Sequence, residues 1–134
     1  MKFKSTLSIF LTVLLVPLLT FADERSDAEV SCEATDQKLV YECMISIVGK
    51  KSRDPVIDAE FTVGAEMPSM PGAHNVRPVA AVPLDVAGKY RIQIDLEMMG
   101  EWVLLIDLTE PKRDRIVKKL HFSEKSVTEI EKAQ

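Results

Sequence analysis

The sequence predicts an all-β protein: an immunoglobulin-like antiparallel β-sandwich of about seven strands, preceded by a signal peptide. Apolar and polar side chains alternate at a period of two in run after run, and Gly, Pro, Asp and Ser break the runs at short intervals. The chain is also the size of one small domain once its apolar leader is set aside.

The leader is residues 1–22. Lys2 and Lys4 give a positive start, an apolar run follows from Leu7 to Leu19, and Thr20-Phe21-Ala22 precedes the acidic Asp23-Glu24. That is the anatomy of a secretory signal peptide, with small residues placed for cleavage after Ala22 and Pro17 breaking the run upstream. The alternative is an uncleaved membrane anchor, because the run is only slightly shorter than the roughly 20 residues a spanning helix needs. Cys32 lies well beyond the apolar segment with no lipobox before it, which argues against lipid attachment. The expected location is periplasmic or secreted, or anchored to the outer face of the cytoplasmic membrane, with membrane contact only if the leader is retained.

Cleavage would leave 134 − 22 = 112 residues. The two leader lysines take the basic total from 17 to 15 against 21 acidic side chains, a net of −6. Such a surface disfavours nucleic acid as a partner. The expected division is a sandwich over 23–122 and a polar C-terminal tail over 123–134.

The strands follow in order. Glu29 to Ala34 and Leu39 to Ile47 read as a hairpin about a turn at Asp36 to Leu39, with Leu39, Tyr41, Cys43, Ile45 and Ile47 on one face. Ile57, Ala59, Phe61, Val63 and Ala65 form the inner face of a third run, Val79 to Val82 a short one, and Tyr90, Ile92, Ile94 and Leu96 another. Trp102 to Leu108 is apolar on both parities apart from Asp107, as suits a central strand. Ile116, Leu120 and Phe122 line the last run, which leaves His121 on the surface. Ser126 to Glu131 reads as a frayed tail or the start of a short helix capped by Ser126.

Cys32 and Cys43 are the only cysteines. In an oxidising compartment a lone pair forms a disulfide. The hairpin register sets the two directly opposite, at the Cα separation of about 4.5–5.5 Å that a disulfide tolerates.

The chemistry-bearing residues lie in two turn-like stretches. Glu66 to His74 reads Glu-Met-Pro-Ser-Met-Pro-Gly-Ala-His, and Met98-Met99-Gly100-Glu101-Trp102 follows. If successive strands alternate in direction, the Asp36 turn, the Glu66 to Val76 loop and the Met98 to Glu101 turn share one pole. The connections at Lys50, Asp85 and Lys112 share the other. Met67, Met70, His74, Met98 and Met99 then form a candidate ligand set for copper(I), since thioether and imidazole suit a soft ion of low coordination number. Met67 and Met98 continue inward parities and could instead be core lids, which leaves Met70 and His74 as the leading ligands. The plain alternative is that all the methionines fill the end of a core. No nucleophile can be paired with a base, so no catalytic residue is assigned and the chain is expected not to be an enzyme.

The order Ala65-Glu66-Met67-Pro68-Ser69-Met70-Pro71-Gly72, then Ala87-Gly88-Lys89-Tyr90, then Met98-Met99-Gly100-Glu101-Trp102, is similar to the YtkA-like and FixH-like family of exported or membrane-anchored bacterial domains. The resemblance runs from about Asp58 to Phe122. It implies an immunoglobulin-like sandwich outside the cytoplasmic membrane, with some members linked to copper handling and to maturation of respiratory oxidases. A copper-handling or respiratory-assembly protein is the partner this implies. Two functions are therefore expected as alternatives: an exported module that binds or delivers copper(I), or an accessory interaction domain that uses its Met-rich pole as a contact surface without metal.

Overall fold

The computed structural model describes residues 23–73 and 76–131. The leader expected over 1–22 lies outside the described residues. Two antiparallel sheets build a β-sandwich. The strands are β1 (Ser26–Ala34), β2 (Val40–Gly49), β3 (Glu60–Glu66), β4 (Val79–Ala80), β5 (Val82–Pro83), β6 (Lys89–Asp95), β7 (Gly100–Glu110), β8 (Asp114–Phe122) and β9 (Val127–Glu129). One sheet has the order β1-β2-β6-β5, the other β4-β3-β7-β8-β9.

The alternation read from the sequence is the core. Tyr41, Cys43, Ile45 and Ile47 from β2, and Tyr90, Ile92 and Ile94 from β6, point at Phe61, Val63 and Ala65 from β3, Trp102, Leu104, Ile106 and Leu108 from β7, and Ile116, Leu120 and Phe122 from β8. The apolar alternate faces meet, and among the described residues no charged residue joins this core. Two edge-to-face ring pairs, Tyr41 with Phe122 and Phe61 with Tyr90, each have centroids 4.9 Å apart and tie one sheet to the other.

Four local expectations are corrected. The Val79 to Val82 run is two strands: β4 pairs with Thr62 and Val63 of β3, and after Ala81 the chain crosses to pair β5 with Tyr90 and Arg91 of β6. Leu39 is outside the hairpin ladder; it takes φ 62° in the turn, and Val40 is buried beside Tyr41. Ile57 does not face inward. It is 59% exposed, because Pro55 bridges to Val48 and Asp58 adopts φ 56°, so β3 begins only at Glu60. The Tyr90 hydroxyl fixes that approach, accepting from Ala59 N at 2.8 Å and donating to Val56 O at 3.0 Å. Finally, Val127–Glu129 is neither tail nor helix: β9 pairs with Leu120 to Phe122, so the expected boundary at 122 falls inside a hairpin.

The pole holding the Lys50, Asp85 and Lys112 turns is clamped by carboxylates. Asp114, 9% exposed at its side chain, accepts from Arg25 Nη2 at 2.9 Å, Ser26 N at 3.0 Å and Arg115 N at 2.9 Å. Burial alone would raise its pKa. The Arg25 side chain and the two backbone N–H donors outweigh this and leave it lowered. A lowered carboxylate stabilises the fold at pH values above its unfolded value near ~3.9, and that contribution is lost as pH falls through the folded value. Asp114→Asn should therefore cost about 1–3 kcal/mol at neutral pH and flatten the acid limb of a pH-stability profile measured by urea unfolding. An unchanged acid limb would assign it to other carboxylates, of which Asp27 is also lowered: burial raises it, and the Ala28 N–H, Lys118 and Arg53 pull it down further.

Candidate functional site: the methionine pole

The expected convergence of loops is present. Because β2 pairs antiparallel with β6 from Val40↔Asp95, and β3 with β7 from Glu66↔Val103, the 35–39 turn, the loop after Glu66 and the 96–99 turn lie at one end of the sandwich. Leu96 N donates to Leu39 O at 2.9 Å, joining the first turn to the third. The Gly100↔Phe122 pairing brings the 123–126 turn to the same end.

The loop after Glu66 leaves β3 in tight turns: Met70 N donates to Met67 O at 3.0 Å and Ala73 N to Met70 O at 3.2 Å. Gly72, at φ 71°, supplies the left-handed residue between them. The 96–99 turn is held from below. Trp102, fully buried on β7, donates its indole N–H to Met98 O at 3.1 Å. Gly100 takes φ 132°, and a Cβ there would stand 3.3 Å from the Met67 methyl, so this close approach is built on a glycine.

The candidate ligands divide by burial. Met67 is buried, continuing the inward series of β3 against Gly100, as one of its two expected roles requires. Met98 does not share that role: it is 37% exposed, because the chain turns after Leu96 and leaves the β6 parity behind. Met70 and Met99 are likewise partly exposed, at 39% and 46%. His74 lies outside the described residues. Among the described residues, no group of three or more His, Cys, Asp and Glu is arranged to hold a metal ion, so the soft-ligand set is judged on its thioethers.

Sequence reasoning missed the fourth loop at this pole. Met99 lines a groove of about 440 Å³ with Thr35 to Tyr41 and with Glu124 and Lys125. The Tyr41 hydroxyl donates to Ser123 O at 2.8 Å, and burial, then Glu124, pushes its pKa up. Ser123 Oγ closes the turn: it donates to Ser126 O at 2.8 Å, accepts from Ser126 N at 3.1 Å and lies 2.9 Å from Ser126 Oγ. The pair Ser123-x-x-Ser126 was the available signal, since closely spaced serines favour hydroxyl-closed turns over helix when no apolar periodicity follows. Near the same end, Lys119 Nζ sits 2.7 Å from Glu101, whose pKa is lowered by that hydrogen bond and charge.

The YtkA-like family model matches residues 24–107 of this chain. The chain belongs to the YtkA-like family. No curated protein and no solved structure matches it. The YtkA-like match begins before β1 and therefore takes in the Cys32–Cys43 hairpin, which the motif resemblance did not reach. It ends within β7, so β8, β9 and the 123–126 turn lie beyond it. Both methionine stretches fall inside the match. The YtkA-like family is not a known enzyme family, and membership suggests an accessory domain.

Proposed function

We propose that this YtkA-like chain is an exported, non-catalytic accessory module whose methionine pole binds copper(I) for delivery to a copper-handling or respiratory-assembly partner. The observation that carries the reading is that two stretches distant in sequence lie at one end of the sandwich, where the Met67 methyl approaches Gly100, and that Met70, Met98 and Met99 are partly open to solvent there. Thioether sulfur is a soft neutral donor, and a site of few such donors with one imidazole favours Cu(I) over Zn(II) or hard cations. In this reading Met70 and His74 are the principal ligands, Met98 or Met99 completes the set, and Met67 packs the floor beneath them. The leader of residues 1–22 and the Cys32–Cys43 disulfide support a location outside the cytoplasm.

Competition with a cuprous chelator tests the ligand set. Met70→Ala and His74→Ala should each weaken copper(I) retention by at least about ten-fold, equivalent to 1.4 kcal/mol. Retention by the unaltered protein should fall as pH drops through the ordinary imidazole range near ~6.5, because only neutral imidazole ligates. Equal competition by all three proteins would reject this ligand set.

A second reading rests on Met99. Its place in the groove between the 35–41 segment and Lys125 suits an adaptable apolar contact with a partner protein and needs no metal. Failure of every variant and of the unaltered protein to hold copper would transfer the proposal to that surface.

A further inference from the structure

The chain enters the sandwich already tied down. The leader of the sequence, apolar from Leu7 to Leu19, joins the described residues at Asp23. Lys112 Nζ lies 2.8 Å from Asp23 Oδ1, and the Glu24 carboxylate accepts from Lys51 N at 2.7 Å and Ser52 N at 3.1 Å. Arg25 follows at once with its bond to Asp114. Three consecutive residues are thus held at the pole opposite the methionines. No slack segment separates the leader from the fold, so the leader departs from that pole.

The pole has a composition of its own. Its connections, 23–25, 50–59, 84–88 and 111–113, carry six basic and five acidic side chains, a net of +1. The rest of 23–134 carries nine and sixteen, a net of −7. Arg25, Arg53 and Lys112 are engaged in ion pairs, whereas Lys50, Lys51 and Arg113 are exposed without one among the described residues. The apolar side chains agree. Ile57 and Val86, 59% and 57% exposed, are the most exposed large hydrophobic residues among those described, and both lie on these connections. The two connections abut, since a Cβ at Gly88 would stand 2.7 Å from Pro55 Cβ. A single exposed apolar residue needs no explanation. Two on abutting turns, beside unpaired cations and at the exit of an apolar leader, have the chemistry of a lipid-contacting surface.

We propose that this pole seats on an anionic lipid bilayer, with Ile57 and Val86 entering the headgroup boundary and Lys50, Lys51 and Arg113 meeting lipid phosphates. A leader retained as an anchor enters the bilayer directly beneath this pole; with the leader removed, the same surface docks reversibly. Either way the orientation is fixed. The eleven residues of β7 run from pole to pole, so the methionines stand about 30–35 Å from the bilayer. There they face the water-exposed part of a partner, not a site within the membrane. The docking does not rest on copper.

Amide hydrogen exchange of the protein as recovered from its host, mixed with or reconstituted into vesicles, tests this. Phosphatidylglycerol vesicles should slow exchange in 50–58, 84–88 and 111–113 and leave 35–39 and 96–99 unchanged, and phosphatidylcholine vesicles should slow neither. Raised salt should reverse the protection. Lys50→Glu/Lys51→Glu/Arg113→Glu and Ile57→Ser/Val86→Ser alter exposed side chains, so their circular dichroism spectra should match that of the unaltered protein. Each should raise the lipid needed for half-maximal protection by at least about ten-fold. If the leader is retained and inserts by itself, the same variants should stay membrane-bound yet lose the protection, which separates docking from tethering. Met70→Ala should dock like the unaltered protein, which separates this surface from the methionine pole. Protection confined to 35–39 and 96–99, equal protection by both lipids, or none with either would overturn the proposal.

Discussion

Trp102→Ala is expected to remove about 3–5 kcal/mol, a third or more of the stability of a domain this size, because it empties the largest fully buried site in the core. The position makes relaxation difficult. Trp102 stands at the start of β7, between Leu120 of β8 and the β3 end of the same sheet, and the ladders beside it run unbroken from Phe61 to Glu66 on one side and from Asp114 to Phe122 on the other. The surrounding backbone cannot close on the hole without breaking pairs. A thermal midpoint lower by about 15–30 °C follows from the usual conversion for about a hundred residues. Trp102→Phe separates two contributions. It keeps much of the apolar volume and loses the indole bond to Met98 O, so it should cost about 1–2 kcal/mol globally. Its sharper effect should be local, because that bond is what holds the 96–99 turn over the core. Amide hydrogen exchange in the 96–100 segment should accelerate in Trp102→Phe while β2 and β6 remain protected. Uniform acceleration across all strands would show that the turn draws no separate support from the indole.

The same residues show what a sequence can and cannot reveal of this fold. The inner faces of β2, β3, β6 and β8 were legible because burial on one side forces a period of two, and a one-residue slip would invert every side chain. By contrast β7, apolar on both parities, was legible as a central strand, and its inward set of Trp102, Leu104, Ile106 and Leu108 was not. The pole followed from little more, since short connections between antiparallel strands must alternate ends. The split of Val79 to Val82 was not legible. Which sheet a two-residue strand joins is decided by free edges on β3 and β6, and those edges are tertiary facts with no local signature. Ile57 misled for a related reason: its parity matched β3, yet the turn conformation at Asp58 and the Tyr90 hydroxyl broke the register before the strand began. At the candidate site, the sequence grouped five residues by chemistry and the parity of their strands. Parity held for Met67, one residue past β3, and failed for Met98, three residues past β6, because the turn conformation intervenes. The groove beside Met99 depends on β9 folding back, and a three-residue strand in a polar segment carries too little pattern to read.

Removing the disulfide by Cys32→Ala/Cys43→Ala should cost about 2–3 kcal/mol and lower the thermal midpoint by about 10–20 °C. Register explains why the bond forms here. Lys50 N donates to Arg25 O, and Thr35 N to Val40 O, so odd-numbered residues of β1 make the ladder bonds with β2. Cys32 and Cys43 therefore form a non-hydrogen-bonded pair, the closer of the two kinds, and their Cα atoms are 4.0 Å apart. The sulfurs lie on the inner face: Cys43 is fully buried and Cys32 nearly so. Two consequences can be measured separately. First, the bond constrains the unfolded chain over a sequence separation of 11, so its contribution should appear in equilibrium unfolding with and without reductant. Second, burial shields the sulfurs from external thiols, so reduction under native conditions should wait on local opening of β1 and quicken when denaturant is added. β1 is an edge strand, and among the described residues its polar side-chain ties outside the ladder with β2 lie in its N-terminal half, at Ser26, Asp27 and Glu29, with Arg25 just before it. Among the described residues, the half of β1 that carries Cys32 is tied by the ladder and the disulfide. The double variant should therefore fray β1 from Ala34 back toward Val30, seen as faster amide exchange there, while Ala28 stays protected behind the Asp27 and Asp114 clamps. Identical unfolding curves for the oxidised and reduced protein would show that the ladder alone fixes this edge.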